Sequence, residues 1–142
     1  MNISDRTKVL FGAGATAAGV GDVIGASVDM QAYDCVRFLA VLGDAAAGAV
    51  VGLKLQTGTL ADNSDMADVA GAATAAFTAD ATSADNKILS LDVVQPQKRY
   101  ARCVLTRAAS SVAVNALVTE VYDGHNVPAG LGDQVARRVV RG

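Results

Sequence analysis

Apolar and polar positions alternate along much of this chain. In VVGLKLQTG, residues 50–58, Val51, Leu53 and Leu55 alternate with Gly52, Lys54 and Gln56. A period of two marks a strand with one buried face. NKILSLDVV, residues 86–94, repeats the pattern, with Leu89, Leu91 and Val93 on one face and Ser90 and Asp92 on the other. The long run over 112–122 puts Val112, Val114, Ala116, Val118 and Glu120 on one face and Asn115, Leu117, Thr119 and Val121 on the opposite one. YDCVRFLAVL, residues 33–42, is apolar almost throughout and so predicts a central strand. RYARCVLT, residues 99–106, adds another strand, as do residues 7–11, a stretch near 23–30 and a weak one near 75–78.

Turn signals separate these runs: Gly43-Asp44, Gly58, Asp62-Asn63-Ser64-Asp65, Gln95-Pro96 and Asp123-Gly124. Seven or eight short strands punctuated in this way predict an all-β, single-domain fold, a β-sandwich or jelly-roll-like barrel. The expected organisation is an N-terminal strand and flexible arm over 1–21, a sandwich body over 22–124 and a C-terminal arm over 125–142. Two segments fit the pattern less well. Residues 66–84, MADVAGAATAAFTADATSA, are alanine-rich, but Gly71, Thr74, Thr78 and Thr82 weaken a helix; they read as a long surface excursion with one short strand. Residues 126–142 contain Pro128 and Gly130 and read as an extended arm or a helical turn or two.

Composition sharpens the picture. Hydrophobic residues make up 51% of the 142, yet aromatics are only 4% and tryptophan is absent, so the core is built of alanine, valine and leucine. A buried Val or Leu contributes about 1.5–3 kcal/mol and an alanine much less. Part of the burial is therefore expected to come from association between copies. Of the acids only Glu120 is a glutamate, and aspartate favours caps and turns over helix interiors. The net charge of -2 and pI near 5.2 give no overall reason to bind nucleic acid or an anionic membrane. No run approaches the roughly 18 apolar residues of a membrane span. The opening MNISDRTK lacks the charged-then-apolar order of a secretory signal, so export by that route is not expected.

Candidate chemistry is sparse. KVLFGAGATAAG, residues 8–19, resembles the start of a dinucleotide-binding fingerprint, whose glycines bring the backbone to a pyrophosphate at a helix N-terminus. Gly19, Gly21 and Gly25 follow at once, each costing about 1 kcal/mol relative to alanine inside a helix. Nucleotide binding is therefore rejected, and the glycines read as a flexible loop leaving the first strand. His125, the single histidine, lies in the turn DGHNVP and predicts a solvent-facing or subunit-contact role. Cys35 and Cys103 sit inside strand-like runs, without the paired spacing of a zinc or redox motif, and predict buried free thiols. No nucleophile elbow supports a Ser-His-Asp arrangement. Asp62, Asp65 and Asp68 raise calcium, which takes several carboxylate and carbonyl oxygens. The glycine and closing glutamate of an EF-hand loop are missing, and a solvated turn is the preferred reading. No catalytic, cofactor-binding or metal-binding residue is assigned, and no enzyme is expected.

Charge is segregated. Residues 55–86 hold five aspartates and no base, whereas residues 98–142 hold seven bases against three acids. Such a chain can pair with copies of itself or dock its basic end on an acidic surface. In QKRYARCVLTR, Lys98, Tyr100 and Arg102 fall on one strand face and Arg99 and Arg107 on the other. Arginine and tyrosine are enriched at protein contacts. The predicted interface residues are Lys98, Arg99, Tyr100 and Arg102, with Arg137, Arg138 and Arg141 of the C-terminal arm.

The succession VDMQAYDCVRFLAVLGDAAAGAVVGLKLQTGTLADNSDMADVAG, an acidic alanine- and threonine-rich loop, NKILSLDVVQPQKRYARCVLTR and a last valine-rich strand resembles small head structural proteins of tailed bacteriophages. The resemblance runs over about 28–124 and is strongest at FLAVLG with LQTG, and at LDVVQPQKRYARCVLTR. It implies a capsid decoration (cement) protein, commonly a trimer, that binds the major capsid protein on the outside of the head. The implied location is the virion, with assembly in the host cytoplasm. A head-tail joining or tail protein, or a virion-surface adhesion module, is the alternative expectation.

Overall fold

The computed structural model describes residues 2–125, 129–130, 132–138 and 140. A short helical turn, α1 (Ile3–Arg6), opens the chain; Asn2 caps it by accepting from the Asp5 N–H. Eleven strands follow: β1 (Lys8–Ala13), β2 (Thr16–Gly19), β3 (Val23–Ile24), β4 (Val28–Asp29), β5 (Tyr33–Ala45), β6 (Val50–Gly58), β7 (Ala67–Ala73), β8 (Phe77–Thr78), β9 (Ile88–Val94), β10 (Tyr100–Ala108) and β11 (Val112–Gly124). They form two antiparallel sheets. One runs β1-β11-β5-β9 with β2 also on β11, and the other runs β3-β10-β6-β7 with β4 on β10 and β8 on β6.

The short strands lie end to end. β1 pairs with 117–121 of β11 and β2 with 112–114, along the edge that β5 leaves free. In the same way β3 and β4 share one edge of β10, and β7 and β8 share one edge of β6. Counting each collinear pair as one interrupted strand leaves eight, four in each sheet. Numbered along the chain, one sheet reads first, eighth, third, sixth and the other second, seventh, fourth, fifth. That order is a jelly roll, two Greek keys folded face to face, as the alternating pattern predicted.

The inward faces follow the sequence pattern on most strands. Val51, Leu53 and Leu55 of β6 and Val36, Phe38, Ala40 and Leu42 of β5 are buried. Ala101, Cys103 and Leu105 of β10 join them, and Leu89, Leu91 and Val93 of β9 close the core at one side, half-buried. β5 is interior to its sheet, as its continuous apolar run predicted.

β11 departs from strict alternation. Val114 pairs with Leu42 but Ala116 with Val41, so Asn115 is an extra residue on β11. Such a bulge reverses which side chains face inward beyond it. Val112 and Val114 point into the core, then Leu117, Thr119 and Val121 replace them, and Val118 and Glu120 turn outward. The expectation of a single face from Val112 to Glu120 is thus corrected by one residue of register.

Two strands were not expected. Thr16–Gly19, read as part of a loop, is β2, and Ala67–Ala73, inside the excursion, is β7. Both are rich in alanine and glycine, and neither carries the β-branched alternation that reveals a strand. The fingerprint-like glycines acquire a structural reason. Gly12 is the extra residue of a bulge between Phe11 and Ala13, and a Cβ there would lie 2.8 Å from the Leu117 carbonyl oxygen. The segment 17–21 is organised by Arg107, whose side chain is buried. Its Nε donates to Gly21 O at 2.9 Å, and its Nη1 donates to Val112 O at 2.7 Å and Ala17 O at 3.1 Å.

Candidate interaction surface

Strand registers place the β4–β5, β6–β7 and β9–β10 connections together at one end of the sandwich. Tyr100 opposes both Asp29 and Gly58, and Tyr33 opposes Gly124. The predicted basic strand begins here. Lys98 and Arg99 are exposed in the turn before β10, and Tyr100 and Arg102 are half-buried within it. Arg99 grips Asp29 with two hydrogen bonds, Nε at 3.0 Å and Nη2 at 2.8 Å, and lies over the Tyr100 ring at 5.3 Å from its centre. The Arg99 guanidinium, with the Gln31 N–H assisting, holds the Asp29 carboxyl below its ordinary pKa. On the outer face Arg102 donates to Gln56 Oε1 at 2.8 Å. Beside this rim, Met30, Gln31, Tyr33, Asp34 and residues 95–99 line an open cleft of about 410 Å³.

Arg137 is placed elsewhere. Its Nη1 donates to Ser4 O at 2.6 Å and Ala129 O at 3.1 Å, so it ties the C-terminal residues to α1. Three further bonds follow the same line: Ala129 N–H to Asp5 O, Asp133 N–H to Val9 O, and Phe11 N–H to an Asp133 carboxylate oxygen at 2.7 Å. Gly132 bridges Val9 in parallel, with φ of +64° and no room for a Cβ against the Val9 carbonyl. Arg138 is exposed, and Arg141 lies outside the described residues. Lys98, Arg99, Tyr100 and Arg102 therefore form one surface, which Arg137 does not join.

The remaining candidates have local partners. His125 Nε2 stands 3.3 Å from an Asp34 carboxylate oxygen at the exposed end of β11. Both cysteines are buried and free. Burial raises the Cys35 thiol and pushes Cys103 up to about 11, so both are protonated at neutral pH. Asp65 accepts from the Thr59 hydroxyl and the N–H groups of Thr59 and Leu60, which lower its carboxyl to about 2. Asp62 accepts twice from Ser64, and Asp68 bonds Gln56 and Lys54. Among the described residues no group of three or more His, Cys, Asp or Glu is disposed to hold a metal ion.

Sequence reasoning missed two polar constructions. Arg107 counted as part of a basic end, but it points inward. On the outer face of the first sheet Arg37 pairs with Glu120 and stands opposite Asp92, which receives the Tyr122 hydroxyl at 3.4 Å. The signal for this cluster was present in the polar positions of two alternating strands and the one arginine of the apolar run 33–42, whose register only the fold supplies.

No protein-family model and no curated protein matches the chain. Among solved structures it is similar to a chain in the structure of infectious bursal disease virus Gt strain, at 13% identity and a TM-score of 0.49, over 89% of this chain and 34% of that one. The Gx strain gives 15% and 0.47 over 88% and 34%. The structure of Eiger TNF from S. frugiperda gives 8% and 0.40 over 96% and 99%. The chain thus spans about a third of the two viral chains.

Proposed function

We propose that this chain is a non-enzymatic virion structural protein, a decoration (cement) protein on the outer surface of a tailed-phage head that stabilises contacts between major capsid proteins. The sequence resemblance supports the reading, and so does a body suited to contact rather than turnover. The observation that carries it is the rim of Lys98, Arg99, Tyr100 and Arg102, in which Arg99 and Arg102 are held in place. Arg99 is locked on Asp29 and Arg102 on Gln56, so docking an acidic coat-protein surface orders few side chains, which favours affinity. The protein acts as a homo-oligomer, a trimer by the same resemblance, with neither nucleic acid nor membrane as partner. The C-terminal segment, held on α1 and β1 through Arg137 and Asp133, extends the docking surface of the body.

Undecorated phage shells mixed with purified protein test this. Wild-type protein is expected to co-sediment with the shells. Lys98→Glu with Arg102→Glu is expected to weaken binding at least tenfold, with a shallower salt dependence. Deleting residues 126–142 is expected to lower occupancy. Failure of the wild-type protein to bind shells would overturn the reading.

A further inference from the structure

We infer that the outer edge of β9 is a self-pairing edge, joining two copies of this chain antiparallel across a two-fold axis at Leu91. Sheet edges attract strands unless they are blunted by shortness, bulges or cover. Three of the four edges here are blunted. β1 carries the Gly12 bulge and is crossed by the C-terminal residues, with β2 short beside it. β3 and β4 have two residues each. β7 contains Gly71 at φ of +76° and a register shift, and β8 has two residues. β9 is different: it pairs with β5 in unbroken register over Ile88–Val94, and no described strand lies on its other side.

The polarity of that edge follows from two bonds. The Gln95 N–H donates to Asp34 O, and Lys87 O accepts from the Leu42 N–H. Odd-numbered residues of β9 therefore spend their backbone groups on β5. Antiparallel alternation leaves the N–H and C=O of Ile88, Ser90, Asp92 and Val94 facing outward.

Side-chain charge selects the occupant and the register. About an axis at Leu91, Ile88 opposes Val94, Leu89 opposes Val93, and Ser90 opposes Asp92. Every outward N–H and C=O finds a partner, and Ile88 and Val94, 61% and 69% exposed, meet each other. On the inner side the half-buried Leu89, Leu91 and Val93 of each copy cover those of the other. Moving the axis to Asp92 sets two carboxylates face to face, which is destabilising. Moving it to Ser90 sets Asp92 against Ile88. At this register the strand pairs with itself without setting like charges opposite each other, and its exposed apolar ends match. The seam uses only the β9 edge, and it rests on strand geometry rather than on the proposed virion role.

Light scattering or sedimentation on Ser90→Pro tests it. Proline removes one outward donor and leaves the β5 ladder intact, as edge positions allow. Ser90→Pro is expected to halve the assembly mass with circular dichroism unchanged, whereas Ser90→Ala keeps it. As a second measurement, Leu91→Cys is expected to form a disulfide-linked dimer under mild oxidation. Ser90→Cys is not, because its copies are offset along the strands beyond disulfide reach. An unchanged mass in folded Ser90→Pro, or no cross-link in Leu91→Cys, would overturn the pairing.

Discussion

At the residue scale, buried polar and small groups carry the departures from a plain apolar core. Arg107 bonds four carbonyls, of Ala17, Val20, Gly21 and Val112, at the junction of β2, β3 and β11, and among the described residues no carboxylate pairs with it. Replacing it by methionine removes the charged donor those oxygens share. Hydrogen bonds to charged groups are each worth about 1.5–3 kcal/mol, so Arg107→Met is expected to lower stability by about 3 kcal/mol in urea unfolding. Cys103 makes stability pH-dependent. Its thiol titrates near 9.0 when free and near 11 when folded, so unfolded chains lose the proton first as pH rises. Stability is expected to fall between pH 9 and 11, and Cys103→Ala to flatten that slope in urea midpoints taken across the interval. Asp65 acts in the opposite direction, because its folded carboxyl is depressed. Its contribution is present above about pH 4 and lost as pH falls towards 2. Asp65→Asn is expected to reduce the loss of melting temperature on acidification.

At the element scale, most strands were legible because their alternation is set by two-sided environments. β6, at Val50–Gly58, coincides with the run read from sequence, and β5 and β10 extend theirs by two or three residues at the C-terminal end. β2 and β7 were not legible, because alanine and glycine signal neither face; their pairing with β11 and β6 defines them as strands. The face switch in β11 was hidden for another reason. A bulge depends on the partner's register, and Asn115 carries no local mark of it. Deleting Asn115 makes Val114 with Leu42 and Ala116 with Val41 consecutive pairs, so it is expected to remove the bulge with Leu117, Thr119 and Val121 still inward and cooperative thermal unfolding retained. An added residue after Ala116 is expected to turn those three outward and abolish it. Gly12→Val tests the matching bulge on β1. Its side chain meets Leu117, and overpacking of this kind costs about 1–3 kcal/mol.

At the scale of the whole molecule, the jelly-roll order gathers the basic rim at one end and leaves one sheet edge open. The rim was legible as an alternation of Lys98, Tyr100 and Arg102, whereas the separation of Arg137 from it was not, since only the folded C-terminal residues place Arg137 against Ser4. Phe38 is the one fully buried phenylalanine among small neighbours. Phe38→Ala is expected to cost about 3–5 kcal/mol, read as a lowered urea midpoint. The proposed decoration role uses this cationic rim and the β9 edge, beside which no described strand lies. The most direct measurement is the copy number of this protein relative to the major coat protein in purified particles, with its position found by labelling. A decoration role predicts copies on the outer shell that scale with the coat protein. A small fixed number confined to the neck or tail, or none at all, would contradict it.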